Sequence, residues 1–212
     1  MRTPLLFTAL LLAIPTTSRA QVEAPRPHGC FQPHPADRCA WFPLIETNIQ
    51  YRIAGDAPEA NRMTLDWRIG LMKNTSRRSA IGGVLFATAE GDFRAGAAVR
   101  ARRWLSPSTS LDLSAGLNAV GTTNQGRMRA ASPTIDVRIA SHDYLAATAR
   151  LDLVRIQPYC YDPSCAGIGP VTTTRLYVGV GTGAVGGIVG FVATGVLAVI
   201  ALIAIGGSGF AY

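Results

Sequence analysis

The feature that most constrains the fold is an alternation of apolar and polar side chains between Leu44 and Val180. Around residue 112, for example, Leu111 and Leu113 alternate with Asp112 and Ser114. A period of two is typical of β-strands that have one apolar face and one polar face. Helical periodicity is weak over the same region, so the sequence predicts an antiparallel all-β domain.

The alternation divides into eight runs separated by turn-forming residues. They cover roughly residues 45–53, 63–71, 80–89, 93–102, 110–118, 135–139, 148–153 and 172–180. The connections after the first, fifth and seventh runs are long, whereas those after the second, fourth and sixth are shorter. The third and fourth runs are joined tightly at residues 90–92 and break this pattern. Long loops at one end and short turns at the other indicate an eight-stranded antiparallel up-and-down barrel over residues 44–181.

Period two shows two chemically different faces but does not say which face is inside. In a barrel that spans a membrane, the apolar set faces lipid and the polar set fills the lumen. In a soluble barrel or sandwich, the same apolar set forms the core. The polar face carries charges of both signs and small residues such as Gly70, Gly82, Gly96 and Gly116, which favours the membrane arrangement. We therefore predict lumen ion pairs among eight residues: Asp66, Arg68, Arg100, Asp112, Asp136, Arg138, Arg150 and Asp152.

The alternation, the count of eight and the loop asymmetry make residues 44–181 resemble the eight-stranded outer-membrane β-barrel class, which includes the outer-membrane protein A and X type barrels. The run RARRWLSPSTSLDLSAGL is similar to the strand, short turn, strand units of such barrels. This resemblance implies an envelope protein with a structural, adhesive or small-solute role. The chain departs from the class because about thirty residues follow the last strand. Aromatic residues for the membrane interfaces are few, with Tyr51, Trp67, Trp104 and Tyr177 as the candidates.

The first twenty residues have the pattern of a secretory signal peptide. Arg2 precedes the apolar run LLFTALLLAIP, and Ser18 and Ala20 provide the small residues of a cleavage site. We expect the mature chain to begin at Gln21 with an extended N-terminal segment over residues 21–43. Removal of the signal lowers the formal charge from +7 to about +5. Since the signal directs export, we do not expect nucleic acid as a partner.

The closing segment is predicted to be an apolar transmembrane helix over residues 182–206, followed by a short tail at residues 207–212. Residues 184–205 carry no charge and would span roughly 33 Å as a helix. Glycines recur every fourth residue and could let a second helix or a second copy of the chain approach closely. They are Gly179, Gly183 and Gly187, and Gly186 and Gly190. Such a helix could also be retained in the inner membrane, so the sequence leaves the membrane undecided.

The four cysteines form two local pairs, Cys30 with Cys39 and Cys160 with Cys165. Disulfide bonds within each pair are the default in an exported protein. A sharper alternative is a zinc site in the segment HGCFQPHPADRC. It would use His28, Cys30, His34 and Cys39, but these spacings match no familiar zinc pattern.

Recognisable catalytic chemistry is sparse in the sequence. The best candidate is His142, which lies between Ser141 and Asp143 in a predicted turn and could serve a lipid-modifying enzyme. The glycine-rich run GVGTGAVGGIVG lacks the strand and helix context of a dinucleotide loop. We therefore predict no catalytic site, no metal and no cofactor. The expected protein is a non-enzymatic envelope protein in contact with the lipid bilayer, and the alternative is a periplasmic β-domain tethered by the closing helix.

Overall fold

The fold consists almost entirely of β-strands. A computed structural model describes residues 40–55, 62–90, 93–123, 126–128, 130–142, 144–158, 169–183, 187–190 and 192–193. The strands are β1 (Trp41–Ala54), β2 (Met63–Ser76), β3 (Ser79–Ala89), β4 (Phe93–Trp104), β5 (Thr109–Thr123), β6 (Gly126–Met128), β7 (Ser132–Ser141), β8 (Leu145–Pro158) and β9 (Val171–Thr182).

These strands close into an eight-stranded antiparallel barrel. Each strand pairs with its neighbour around the circle β1, β2, β3, β4, β5, β7, β8 and β9, and β9 pairs with β1. The short strand β6 pairs with β5 and β8, which are the same two partners that β7 has. It therefore occupies the position of β7 around the barrel and continues that position beyond the break at residues 129–131.

The predicted barrel is confirmed, and each of the eight predicted runs lies within one of its long strands. Most of the observed strands extend beyond the alternation by several residues. The sequence did not predict β6, because three residues are too few to show a period. The turns at residues 77–78 and 105–108 and the turn residues 142 and 144 lie together with the start of β1 and the end of β9, and we call this the turn end. The opposite end, which carries the other connections, is the loop end.

The barrel has its polar residues inside and its apolar residues outside. Ile69 and Leu85 are 57% and 62% exposed on the outer wall. Arg94, Arg100 and Arg138 are fully buried in the interior. The soluble arrangement, in which the apolar set would form the core, is therefore not the one observed.

An apolar cluster fills the interior at the turn end. It consists of Phe42, Leu44, Met72, Ala80 and Trp104. The rings of Phe42 and Trp104 lie with their centroids 6.3 Å apart, and the guanidinium of Arg102 lies over both rings. This arrangement separates the charged interior from the turn end. It also corrects the prediction for Trp104, which belongs to the interior and not to an interfacial girdle.

Tyr177 requires the same correction, since its side chain is fully buried among the interior charges. Its neighbours on β9, Leu176 and Val178, point outward. The side chain of Tyr177 therefore points into the lumen. Tyr51 does lie on the outer wall, with its side chain exposed. The phenol of Tyr177 instead supplies a hydroxyl group to the interior, where it donates a hydrogen bond to Glu90 at 2.8 Å.

The predicted closing helix is only partly described. Residues 187–190 and 192–193 are helical, and the rest of the segment up to residue 206 lies outside the described residues. Among the residues that the structure describes, no helix has the length and apolar character needed to cross a membrane. The predicted signal peptide, the segment 21–39, all four cysteines, the zinc alternative and Gly186 also lie outside them.

Gly96 is a position where the interior leaves no room for a side chain. A Cβ atom there would lie 2.7 Å from Cζ of Phe86 and 2.9 Å from Cα of Asn118, and it would also clash with the Leu117 carbonyl oxygen. Gly83, on the outer wall, has no atom within 4 Å of such a Cβ. The backbone atoms near Gly96 cannot move aside without disturbing the ladder between β4 and β5.

We expect Gly96→Leu to destabilise the barrel by about 1–3 kcal/mol or more through overpacking. Gly83→Leu is the matched control and should leave stability nearly unchanged. Urea unfolding in detergent micelles, followed by tryptophan fluorescence, measures both. Equal midpoints for the two variants would contradict the described packing.

Candidate functional site

The interior of the barrel is a network of buried charges. Eight arginines and six carboxylates are buried within the described part of the chain. The arginines are Arg52, Arg68, Arg94, Arg100, Arg102, Arg138, Arg150 and Arg175, and the acids are Glu46, Asp66, Glu90, Asp112, Asp136 and Asp152. The alternation places them inside because each stands on the polar face of its strand or directly follows it.

Glu46 lies at the centre of the group nearest the turn end. Its carboxylate accepts hydrogen bonds from Nη1 of Arg100 at 2.8 Å and from Nη1 of Arg138 at 2.6 Å. Asp112 accepts two hydrogen bonds from Arg102, each 2.7 Å long. The register explains the second contact, because Asp112 on β5 is paired directly with Arg102 on β4. Two carboxylates therefore hold three guanidinium groups in this group.

A second group lies near the middle of the barrel and is organised by Arg68. Its Nε donates to Asp66 at 2.6 Å, and its Nη1 and Nη2 donate to Asp136 at 2.5 and 3.0 Å. Asp136 is on β7, so this arginine crosses the lumen from β2. Asp66 also accepts a hydrogen bond from Arg150 at 3.1 Å and one from the Asn48 amide at 2.8 Å. Paired donors of this kind fix geometry as well as neutralising charge.

The third group, at the loop end, is centred on Glu90. Arg94 lies 3.1 Å and Arg52 lies 3.2 Å from its carboxylate, and the Tyr177 hydroxyl donates to it at 2.8 Å. Arg175 lies 3.5 Å away. Four side chains from three different strands, β1, β4 and β9, therefore converge on the carboxylate that directly follows β3.

Asp152 joins this group to the middle of the barrel. It accepts a hydrogen bond from Arg94 at 2.6 Å and one from the Thr134 hydroxyl at 2.6 Å. Arg150, which belongs to the middle group, lies 3.4 Å from the same carboxylate. Charges from the middle of the barrel to the loop end thus form one connected chain of contacts.

The structure places all eight predicted lumen residues in the interior. Asp66 contacts Arg68, and Arg150 contacts Asp152, as neighbours two positions apart on one strand. Other partners come from across the lumen, which the sequence does not reveal. Sequence reasoning did not select seven further residues of the network: Glu46, Arg52, Glu90, Arg94, Arg102, Arg175 and Tyr177. Most of them stand on the polar face of the same alternation, and that signal could have identified them.

The interior around the middle group is closely packed. A cavity of about 10 Å³ lies among Arg68, Phe86, Arg100, Asp136 and Arg150. A cavity of this size holds about one water molecule. The side chains themselves thus fill the lumen around the middle group.

The predicted enzymatic candidate lies on the surface at the turn end. Ser141 ends β7, and its hydroxyl lies 3.3 Å from Nδ1 of His142, with both side chains exposed. His142 has a φ of 52°, and its backbone N–H donates to the Ser108 carbonyl at 2.6 Å. Asp143 lies outside the described residues. These contacts link His142 to the turn between β4 and β5 and do not enclose a site.

The predicted helix-packing glycines are divided between strand and helix. Gly179 lies in β9, and Gly183 follows the end of that strand. Gly187 and Gly190 lie in the short helix, and their contacts are with the outer wall of the barrel at β1. In the described part of the chain, these two glycines therefore pack a helix on a strand.

No family model and no curated protein matches the sequence. Among solved structures, the chain is similar to one described as "De novo design of transmembrane beta-barrels". The two share 12% sequence identity with a TM-score of 0.36, over 66% of this chain and 93% of that chain. A similarity of this size carries no argument about function.

We expect Glu46→Gln to be among the most damaging single substitutions in the interior. It would leave the Arg100 and Arg138 guanidinium groups buried without their shared carboxylate, at a cost of about 3–5 kcal/mol. Adding Arg138→Gln should recover part of this loss, because it removes one of the two guanidinium groups that have lost this partner. Urea unfolding of the two single variants and the double variant measures the coupling, and strictly additive losses would contradict the described contact.

Proposed function

We propose that the chain is a non-enzymatic protein of the bacterial cell envelope whose barrel is embedded in the outer membrane, with a structural or interaction role. One observation carries the proposal: the apolar residues of the strands lie on the outer wall while the charged residues are buried inside. Exposed apolar surface of this extent requires a covering phase, and lipid is the phase for which β-barrels with this polarity are suited.

The dimensions of the barrel fit the same role. The eight strands that form the wall have ten to fifteen residues each, whereas a strand needs about nine to eleven residues to cross the hydrocarbon layer. A closed barrel also satisfies the backbone hydrogen bonds of its strands without water. These features support the general architecture of the outer-membrane protein A and X type barrels, in which eight strands enclose side chains and no wide channel.

The proposed role is not that of a pore. The apolar cluster at the turn end and the three charge groups occupy the lumen, and the cavity beside Arg68 has room for about one water molecule. Recognition would therefore depend on the ends of the barrel that leave the membrane and not on the lumen. The exposed Ser141 and His142 pair supports no catalytic role of its own, because neighbouring exposed side chains are not held in a site.

Leu85→Arg tests the membrane placement directly. Leu85 is exposed at the middle of β3 on the outer wall, where an arginine in lipid costs about 2–4 kcal/mol. Leu105→Arg is the control, since Leu105 is almost equally exposed but lies in the turn between β4 and β5. We expect Leu85→Arg to lower folding into lipid vesicles strongly and Leu105→Arg to have little effect, measured by the change in gel migration between unheated and boiled samples.

The alternative of a soluble, tethered periplasmic domain predicts a different outcome. There, an exposed leucine on the barrel wall could be replaced by arginine with little change in stability. Recovery of the barrel in the inner-membrane fraction, with no difference in migration upon boiling, would reject outer-membrane placement. A change in envelope lipid composition that is lost with His142→Ala would instead favour the lipid-modifying enzyme.

Planar bilayer recordings test the filled lumen. Because the interior is occupied from the turn end to the loop end, we expect the purified full chain to give no steady ionic current above that of a protein-free membrane. A stable conductance step with each insertion would show that the lumen opens in a membrane, and the proposed role would then change to that of a pore.

A further inference from the structure

The two strands that close the barrel do not end at the same level. β9 ends at Thr182, which is paired with Thr47 of β1. β1 continues toward the turn end as far as Trp41 and remains paired with β2 along the whole of this stretch. Within the described residues, the strand pairing of β1 with β9 covers only Thr47–Ala54. Residues 41–46, which we call the free edge, thus lack a strand partner on one side.

The backbone direction of the free edge follows from one hydrogen bond. The Ala40 carbonyl accepts a hydrogen bond from the Asn74 N–H at 2.9 Å, so the backbone polar groups of Ala40 point toward β2. Successive residues of a strand direct their backbone groups to opposite sides. The backbone polar groups therefore point away from β2 at Trp41, Pro43 and Ile45. Pro43 has no N–H group, and proline is confined to such edge positions in sheets.

The short helix that follows β9 packs against the end of this edge. A Cβ atom on Gly187 would clash with the Ile45 carbonyl oxygen and lie 3.1 Å from Cα of Glu46. The Thr47 hydroxyl donates a hydrogen bond to the Gly187 carbonyl at 3.2 Å. A Cβ on Gly190 would lie 3.0 to 3.2 Å from the side chain of Thr47. A side chain at Gly187 would therefore force the helix away from the backbone of β1.

Burial of Thr47 shows that the helix covers the outer wall. Thr47 points outward on β1, on the same face as Ile49 and Tyr51. It is 9% exposed, whereas Ile49 is 50% exposed. On the opposite side of the helix, Val189 is 65% exposed. The helix therefore presents its glycines to the barrel and its valines outward.

We propose that this helix protects the barrel where β9 has ended: it docks through Gly187 and Gly190 on β1 and covers the end of the free edge at Ile45 and Glu46. The occupant of this surface is the chain's own C-terminal segment and not a second copy. Uncovered strand edges pair readily with other chains, and proteins protect them with proline and with covering helices. The free edge has both kinds of protection, through Pro43 and, at Ile45 and Glu46, through the glycine face of the helix.

Cysteine cross-linking tests the docking in the full chain with its native cysteines. Atoms at the Cβ positions of Thr47 and Gly190 would be 3.1 Å apart, close to the separation of about 3.5–4.5 Å in disulfides. We expect Thr47→Cys with Gly190→Cys to form a bond within one chain, identified by mass spectrometry of the linked peptides. Ile49→Cys with Gly190→Cys is the matched control and should link at least fivefold less.

Two results would overturn the proposal. One is a bond between two copies of the chain. The other is failure of the Thr47 and Gly190 pair to link in samples whose gel migration still changes upon boiling, which shows that the barrel itself is folded. Because this folding readout is separate, a failure of docking can be distinguished from a failure of membrane placement.

A side-chain substitution in the helix provides the second test. Gly187→Leu should displace the helix, lower the linking of the Thr47 and Gly190 cysteine pair at least tenfold, and increase self-association in detergent through the uncovered edge. Val189→Leu, on the outward side of the same helix, should change neither. Unchanged linking in the Gly187→Leu variant would show that the glycine does not seat the helix on β1.

Discussion

The structure depends on the pairing of long charged side chains inside a barrel that is only wide enough to hold side chains. Eight strands enclose a lumen that inward residues can fill completely. Arginine is long enough to cross this lumen, so Arg68 on β2 reaches Asp136 on β7. Glu46 similarly receives Arg100 and Arg138 from two other strands. The carboxylates thereby connect strands that are far apart around the circle.

This interior also determines the register of the wall. A shift of one residue in any strand would turn its charges outward and its apolar residues inward, because side chains alternate strictly. In lipid, such a shift would expose several charges to hydrocarbon and leave their partners unpaired. The pairing of Asp112 with Arg102 at one register position shows how a single contact resists such a slip. Buried ion pairs add little net stability against an apolar core, but they penalise every alternative arrangement that separates them.

Much of the fold could be predicted from the sequence because alternation is a local signal. The strand runs and the eight lumen residues come from this period alone. The choice between inside and outside could not be made with certainty, since a pattern of period two is unchanged when the faces are exchanged. The partners of Arg68 and Arg138 were also beyond reach, because they depend on the stagger between strands and on which strands face each other. Trp104 and Tyr177 were misplaced, since aromatic residues suit both a membrane interface and a crowded polar interior.

The sequence of the closing segment predicts an apolar helix suited to the inner membrane, which conflicts with a barrel in the outer membrane. The contacts between the short helix and β1 resolve part of this conflict. The described helical residues from Gly187 to Gly190 lie on the wall beside Thr47, so this part of the segment shares its surroundings with the barrel. Its small residues, which in a separate helix would favour another helix, here match the backbone of a strand whose neighbour has ended. The role of the glycine pattern is thus explained by the stagger between β1 and β9, and not by the apolar segment alone.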